Sequence, residues 1–221
     1  ESIDPARAVE QHRAYKELLV ELGCRVLSLP GEPDLPDCVF IEDTAIVLDK
    51  VAVVTRPGAA SRRAQVLAVR EALEPFRPLL HIREPGMLDG GDVLVAGRTL
   101  FVGRSTRTNE PGIEQLRLLL EPFPYEVQDV DFHSCLHLTS AVTPVAERTL
   151  LIQQEWVSPD VFDGFDLIPV VPSEPHAFFF MDTAATEIYP AGFDRTRARL
   201  EARDLDVVTI DYSELAKAEG G

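Results

Sequence analysis

The sequence predicts an α/β protein built from repeated strand-strand-helix-strand modules, a unit typical of rings and propellers. Two observations predict this fold class. Short apolar stretches occur in pairs around polar turns, and the pairs are followed by apolar residues at helical spacing. The second stretch of each pair begins near Val51, Thr99, Thr149 and Thr186, at intervals in the range of repeat architectures.

The first two modules have the clearest pattern. In the first we expect strands at 46–48 and 51–55, a helix at 66–73 and a strand at 79–82. In the second we expect strands at 93–95 and 99–102, followed by a helix near 113–120. Two further copies are predicted over 141–171 and 178–210.

The opening segment resembles the second half of a fifth module. Its predicted helix ends at Gly23, is followed by an extended stretch at 25–29, and carries on one face Val9, Leu18, Leu19 and Leu22. The sequence closes with a short predicted helix and Gly220-Gly221. Because a closed ring leaves no unpaired sheet edge, we expect this chain to be part of a longer protein.

The formal net charge of −16 argues against nucleic acid as a partner, because contact with a phosphate backbone needs a basic surface. The same charge favours a small cationic ligand, although a soluble surface alone also accounts for it. No apolar run approaches the roughly 18 residues of a membrane-spanning helix, and the first residues lack the features of a signal peptide. We therefore expect neither a nucleic-acid partner nor membrane association.

The cysteines, Cys24, Cys38 and Cys135, are odd in number and widely spaced. This usage is typical of a reducing compartment, so we expect a cytoplasmic protein without a disulfide framework. The histidines and cysteines show no metal-ligand spacing apart from a weak alternation at His133, Cys135 and His137. No metal or other cofactor is expected, and a homodimer is left open.

An acidic segment at 37–43 places Asp37, Glu42 and Asp43 close together, beside Phe40. On a strand, Glu42 and Asp43 would point to opposite faces, so both can face one ligand only where the backbone bends. Taken alone, the segment is at least as consistent with an acidic surface loop.

Two further segments carry single candidate groups. Asp89 opens the turn Asp89-Gly90-Gly91-Asp92 before a predicted strand, and paired glycines there would allow backbone conformations closed to other residues. His137 alternates with apolar neighbours as if in a strand, where a lone histidine is commonly a core residue. Each segment alone is explained equally well by structure.

A pair of arginine loops follows the second strands of the first two modules. One carries Arg62 and the other carries Arg107. Solvated surface arginines are the simple explanation for either loop by itself.

In their order and spacing, these segments together resemble the dimethylarginine dimethylaminohydrolases of the guanidine-modifying, or pentein, superfamily. The most specific stretches are PDCVFIEDTAIV, TRPGAASRR, LDGGDVLVAGRTLFVGRSTRTN and LHLTS. The resemblance covers essentially the whole chain and implies one domain over residues 1–221, a five-bladed pseudo-symmetric α/β propeller of ββαβ modules, incomplete here. It also implies hydrolysis of Nω-methylated arginine to citrulline and a methylamine, through a cysteine thiouronium intermediate and without a cofactor.

The resemblance further implies roles for individual residues. His137 is expected to be the general acid and base, oriented by Asp89. Glu42 and Asp43 are expected to hold the guanidinium group, with Phe40 beside them. The remaining contacts are expected at the amino-acid end of the substrate, from Asp37 to its ammonium, from Arg62 and Arg107 to its α-carboxylate, and from the backbone carbonyl of Ala218 to its amine.

The same resemblance places the nucleophilic cysteine a few residues after Gly221, beyond this sequence. Cys135 lies near His137, but on a strand the two side chains would share a face without the geometry of attack, so we expect Cys135 to be structural. An arginine deiminase would share the fold, but that family usually has an aspartate at the position of Thr139. A non-catalytic protein that binds guanidino ligands is the other alternative, and the residues after Gly221 would discriminate.

Overall fold

A computed structural model describes residues 2–174, 181–182 and 186–218 of the protein. They form two compact units, one of Leu29–Thr139 and one of Glu1–Ser28 with Ser140–Gly221. Both units combine helices and strands, which confirms the predicted α/β class.

The chain begins with the helix α1 (Pro5–Glu21). Asp4 caps its first turn by accepting hydrogen bonds from the backbone N–H groups of Ala6 at 3.0 Å and Arg7 at 3.3 Å. The predicted apolar face is only partly right, because Leu19 is buried but Val9 is 69% exposed. The predicted strand at 25–29 is wrong: no described strand pairs with this stretch, so its backbone groups join no sheet.

The unit Leu29–Thr139 contains two copies of one module. The first copy consists of β1 (Ala45–Val47), β2 (Ala52–Val54), α2 (Val66–Leu73) and β3 (Leu79–His81). The second consists of β4 (Val93–Ala96), β5 (Thr99–Arg104), α3 (Glu110–Leu120) and β6 (Glu126–Asp131). In each copy the first two strands are antiparallel, and the helix crosses over to a third strand that runs parallel to the second. Both predicted modules are confirmed.

Apolar periodicity produces these elements. In α3, the buried residues Ile113, Leu116 and Leu120 recur at helical spacing, and the side chain of Asn109 caps the helix by accepting from Gly112 N at 3.0 Å. Most residues of the strand β5 are buried. Both modules contribute to one core, which includes Ile46, Val53, Leu88, Leu100 and Val102.

The other unit continues with two further modules, of which the first departs from the predicted order of elements and the second keeps it. The strands β7 (Val142–Ala146), β8 (Thr149–Ile152) and β9 (Asp166–Pro169) form the first, and β10 (Met181–Asp182), β11 (Glu187–Pro190), α4 (Asp194–Glu201) and β12 (Val207–Ile210) form the second. A short helix, α5 (Ser213–Ala216), follows as predicted. The start of the last predicted module, at Phe178, lies outside the described residues.

The helix expected between β8 and β9 is replaced by the 3-10 turn Pro159–Phe162. Pro159 occupies the first position of the turn, where a helix also tolerates proline, but Gly164 follows Phe162 closely and interrupts helical backbone with a φ of +85°. Among the described helices, none combines the length and apolar character needed to cross a bilayer.

Candidate active site

Three segments of the unit Leu29–Thr139 meet around one buried histidine. The 3-10 turn Ile41–Thr44 precedes β1 and the 3-10 turn Gly90–Asp92 precedes β4, so both stand at the entry to the first strand of a module. His137 lies directly before the 3-10 turn Leu138–Ser140. Together these segments bury four ionisable side chains, those of Asp43, Asp89, Asp92 and His137.

Two glycines allow the segments to approach this closely. A Cβ atom at Gly90 would lie 2.0 Å from the carbonyl oxygen of Glu42, and one at Gly91 would lie 2.7 Å from Asp43 Oδ1 and 2.8 Å from His137 Cγ. Neither glycine has a positive φ. The glycine pair is therefore needed for space, and the predicted reason, conformational freedom, is wrong.

His137 lies on a bend and not on the predicted strand. Ser134, with a φ of +67°, interrupts the extended backbone, and residues 134–137 form a bend. The change of direction brings the imidazole to the acidic turns instead of leaving it in an alternating strand face.

Carboxylates hold both nitrogens of the His137 ring. Nδ1 lies 3.3 Å from Asp92 Oδ1, and Nε2 lies 3.6 Å from Asp43 Oδ1. Burial by itself lowers the pKa of His137, but the hydrogen bond to Asp92 and the negative charge of Asp43 outweigh burial, so the net pKa is raised. The ring is thereby suited to carry a proton near neutral pH, as a general acid must.

Asp89 retains unused bonding capacity. Its Oδ1 accepts a hydrogen bond from Gly58 N at 2.8 Å, whereas Oδ2 is buried and has no hydrogen-bond partner among the described residues. Burial raises the pKa of Asp89, and the bond from Gly58 opposes the shift. Asp43, Asp89 and His137 offer atoms within 4.8 Å of one another, so these three groups could share one proton or one cation.

The contact predicted between Asp89 and His137 differs in the structure. Gly58 N holds one oxygen of Asp89, and it is Asp92, at the end of the same 3-10 turn, that contacts the imidazole Nδ1. Asp92 Oδ1 also accepts a hydrogen bond from Leu138 N at 3.2 Å. The sequence predicted no role for Asp92, which stands only three positions after Asp89.

The bend required between Glu42 and Asp43 is present. Asp43 points inward, where Oδ1 accepts from Gly91 N at 2.9 Å and Oδ2 pairs with Arg62. Glu42 keeps solvent-exposed surface, although protein atoms surround its carboxyl group closely enough to desolvate it. Desolvation, reinforced by the charge of Asp43, raises the pKa of Glu42 to about 7.

Arg62 lies beneath the acidic segment and is 7% exposed. Its Nη1 pairs with Asp43, its Nη2 donates to the carbonyl oxygens of Phe40 at 2.7 Å and Asp37 at 3.2 Å, and its Nε donates to Gln65 Oε1 at 3.0 Å. All three guanidinium nitrogens therefore have partners inside the protein. Arg62 therefore anchors the acidic segment, and its predicted contact with a substrate carboxylate stays a prediction.

Arg107 has different surroundings. It is half-buried, and in the part of the chain that the structure describes its guanidinium makes no hydrogen bond or ion pair. Its backbone is fixed: its N–H donates to Ser105 Oγ at 2.9 Å, and a Cβ atom at Gly58 would lie 2.6 Å from its Cα. Backbone packing thus brings the two arginine loops together. Of Arg62 and Arg107, it is Arg107 whose guanidinium has no partner among the described residues and is available to a ligand.

Two relatives align with nearly the whole chain. A dimethylarginine dimethylaminohydrolase of Pseudomonas aeruginosa is 33% identical over 220 residues, covering 99% of this chain and 87% of the relative. Another, from Streptomyces coelicolor, is 38% identical over 222 residues, covering 100% and 85%. The chain belongs to the dimethylarginine dimethylaminohydrolase family. The protein is accordingly an enzyme of the amidine hydrolase class. No family model matches the chain.

Solved structures support membership of the dimethylarginine dimethylaminohydrolase family. A cysteine-to-serine variant of the P. aeruginosa enzyme, complexed with citrulline, matches with a TM-score of 0.95 at 32% identity, over 100% of this chain and 87% of that one. The N-terminal domain of a cyanobacterial arginine dihydrolase, bound to substrate, matches with a TM-score of 0.82 at 18% identity, over 99% and 84%. An amidinotransferase of Microseira wollei matches with a TM-score of 0.80 at 16% identity, over 98% and 81%. The last two show the shared fold alone.

The remaining residues predicted from the dimethylarginine dimethylaminohydrolase family occupy less decisive positions. Asp37 is exposed in the 3-10 turn Pro36–Val39, and Phe40 is half-buried between that turn and Ile41–Thr44. Ala218 belongs to the other unit, where its N–H donates to Leu215 O at 3.0 Å just after α5. These backbone contacts and those of Arg62 with the carbonyl groups of Asp37 and Phe40 do not identify a role in binding, so the three roles stay predictions.

Cys135 has the properties expected of a structural thiol. Its Sγ lies 3.3 Å from the carbonyl oxygen of His137, and the His137 ring nitrogens face Asp92 and Asp43. Burial, together with the charge of Asp92, raises the pKa of Cys135 to about 12. A thiol with this pKa is almost fully protonated at neutral pH and is therefore a weak nucleophile.

Proposed function

We propose that the protein hydrolyses Nω-methylated arginine to citrulline and a methylamine. The observation that carries the proposal is the convergence of Asp43, Asp89 and Asp92 on a buried His137 of raised pKa, within a member of the dimethylarginine dimethylaminohydrolase family. The family resemblance supplies the substrate, and the acidic surroundings of the histidine are what a cationic guanidinium requires.

Glu42 and Asp43 are proposed to hold the guanidinium group. A guanidinium ion is planar and resonance-stabilised, so it is a poor electrophile until carboxylates fix its plane and a nucleophile breaks the conjugation. Asp43 is rigidly placed by Arg62 and Gly91, while Glu42 is more open and its pKa of about 7 leaves much of it ionised at neutral pH. A bound cation would favour the ionised form of Glu42 further.

The chemistry is proposed to proceed through a cysteine that follows Gly221. Its thiolate forms a C–S bond with the guanidino carbon, and the C–N bond to the methylated nitrogen breaks as His137 donates a proton to the departing amine. His137 then takes a proton from water, which attacks the thiouronium carbon. The C–S bond breaks, the thiolate is restored and citrulline is released. Asp89 is proposed to stabilise protonated His137 through its unpartnered Oδ2.

Recognition of the amino-acid end is proposed to rest on Arg107. Its guanidinium is available to pair with the α-carboxylate, and such charge-assisted contacts are among the strong hydrogen bonds. The exposed carboxylate of Asp37 is proposed to meet the ammonium group, with Phe40 beside the ligand. The contact of the Ala218 carbonyl with the amine stays a prediction of the family resemblance. Arg62 is proposed to act indirectly, by fixing the segment that carries Asp43.

We infer a single cytoplasmic pentein domain, a five-bladed propeller of ββαβ modules. The inference is supported by the repeated three-stranded sheets and by the similarity to the P. aeruginosa enzyme.

The test measures citrulline release by a longer chain. This chain is extended by the residues that precede Glu1 and those that follow Gly221 in the gene. Asymmetric dimethylarginine, monomethylarginine and arginine are compared at equal concentrations. The proposal predicts release from the methylated substrates and poor turnover of arginine. Rapid conversion of arginine alone would indicate a deiminase, and ligand binding without any citrulline would indicate a guanidino-ligand binding protein.

A further inference from the structure

The hydroxyl group of Ser105 joins two parts of the site. Ser105 follows β5 and begins the loop that carries Arg107. Its Oγ accepts hydrogen bonds from the N–H groups of Arg107 at 2.9 Å and Thr108 at 3.1 Å, so it closes the loop on itself. The same Oγ donates to Asp92 Oδ2 at 2.6 Å, a short distance typical of a hydroxyl bound to a carboxylate.

Asp92 continues the connection on its other side. Its Oδ1 contacts His137 Nδ1 at 3.3 Å and accepts from Leu138 N at 3.2 Å, while Oδ2 is held by Ser105. Asp92 is completely buried, so no solvent competes for these bonds. A continuous chain of hydrogen bonds therefore runs from the backbone of Arg107 through one hydroxyl and one carboxylate to the imidazole.

We propose that Ser105 is a positioning residue that holds the Arg107 loop and, through Asp92, the orientation of His137. This inference rests on the proposed function, in which Arg107 binds the α-carboxylate and His137 transfers protons. One hydroxyl then fixes the distance between the group that recognises the far end of the substrate and the group that protonates its leaving amine.

Loss of the hydroxyl should have two separate consequences. On the loop side, the N–H groups of Arg107 and Thr108 lose their acceptor, so the loop loosens and any ligand that uses Arg107 binds more weakly. On the other side, Asp92 loses a donor, so its negative charge is less stabilised and attracts the proton of His137 more strongly. Purely structural damage would not produce both effects selectively.

The titration of His137 depends on every charged group around it. These groups are Asp92 at Nδ1, Asp43 at Nε2, Asp89 within 4.8 Å, and Glu42, whose charge interacts with that of His137, while Arg62 partly neutralises Asp43. The thiol of Cys135 contacts the backbone carbonyl groups of His133 and His137 and not the imidazole. Since Ser105→Ala touches Asp92 alone among them, the pKa of His137 should rise in the variant.

Three variants of the extended enzyme test the proposal. Ser105→Ala removes the hydroxyl, Ser105→Thr keeps it, and Thr106→Ala changes an exposed neighbour on the same loop as a matched control. Ser105→Cys, which keeps the shape with a weaker donor, replaces Ser105→Ala if the latter does not fold. The ligands are monomethylarginine and N-methylguanidine, which lacks the α-carboxylate.

Ser105→Ala should raise the KM for monomethylarginine on the order of tenfold, the loss expected for about one hydrogen bond. It should leave the affinity for N-methylguanidine nearly unchanged. NMR titration of the histidine ring protons should show the His137 midpoint moving to higher pH in Ser105→Ala and returning in Ser105→Thr, while Thr106→Ala changes neither property.

Two results would overturn the proposal: an unchanged His137 midpoint, or equal weakening of both ligands. Either result would mean that Ser105 stabilises the fold without positioning His137 or the Arg107 loop. The NMR titration needs no turnover, so it separates this inference from the proposed function. A protein that released no citrulline would refute the proposed function. The shift of the His137 midpoint would still test the connection from Ser105 through Asp92 to His137.

Discussion

The two arginine loops occupy the same place in successive modules, yet they differ in what their guanidinium groups do. Arg62 follows β2, is 7% exposed, and holds the acidic segment with Nη1 and Nη2 while its Nε binds Gln65. Arg107 follows β5, is half-buried, and is fixed only through its backbone. Equivalent positions in a repeated fold therefore supply one internal anchor and one group available for binding.

The repeated module predicts where each arginine lies along the chain. The burial of its guanidinium determines whether the group binds the protein itself or is available to a ligand. Arg62 pairs with Asp43 at a site that excludes water, so removal of either partner leaves a buried charge without compensation. Removal of the Arg107 side chain should cost the protein little stability, because its guanidinium has no hydrogen-bond or ion-pair partner among the described residues. The two substitutions should thus affect different measurements.

The largest expected effect is that of Arg62→Ala on folding. It leaves buried Asp43 unpaired and two backbone carbonyl groups without their donor, so the free energy of unfolding should fall by about 3–5 kcal/mol. Urea denaturation measures this change. The matched control is Arg63→Ala, which removes one contact to Pro57 O and should cost much less. Equal losses for the two variants would mean that Arg62 is not an anchor.

Arg107→Ala should change binding instead. Removal of a charge-assisted contact should lower the affinity for monomethylarginine on the order of tenfold to a hundredfold. The free energy of unfolding should change by less than about 0.5 kcal/mol. Isothermal calorimetry with monomethylarginine and with N-methylguanidine, which lacks the α-carboxylate, separates the contribution of that carboxylate to the affinity. Weaker binding of both compounds would show that Arg107 does not recognise the carboxylate.

Helices and strands could be predicted wherever the spacing of neighbouring apolar residues determined them. The apolar spacing of α3 and the paired strands β4 and β5 follow from neighbouring residues, and all three were predicted. The roles of Arg62, Asp89 and Asp92 could not be separated, because they depend on which group a 3-10 turn presents to the interior. The replacement of a helix by the turn Pro159–Phe162 was signalled by Gly164, whose φ of +85° ends helical backbone soon after Phe162.

The two carboxylates of the acidic segment should respond differently to pH. Glu42, with a pKa raised to about 7, is ionised only above that value, so affinity for a guanidinium should fall as the pH drops through 7. Below the pKa the loss should approach about tenfold per pH unit if a single proton is responsible. Affinity measurements of N-methylguanidine from pH 5.5 to 8.5 would show this slope.

Glu42→Gln should flatten that pH profile, and Glu84→Gln, at an exposed acid that pairs with Arg56, should leave it intact. An unchanged slope in Glu42→Gln would assign the titration to another group, in which case Glu42 would not be the guanidinium contact.

The smallest expected effect is that of Cys135→Ser. Because the pKa of about 12 leaves its thiol protonated, the substitution should change citrulline release by less than about twofold, a difference of a few tenths of a kcal/mol. Loss of activity with unchanged stability would make Cys135 the nucleophile and would remove the need for a cysteine beyond Gly221.

The central claim is that this site prepares a methylated guanidinium for a thiolate supplied after Gly221. The most direct measurement is citrulline release from asymmetric dimethylarginine by three proteins: the chain of 221 residues, the chain extended at both ends, and the extended chain with the added cysteine changed to serine. The account predicts citrulline from the extended chain alone, with the shorter chain and the serine variant inactive. Comparable citrulline release by all three would contradict it.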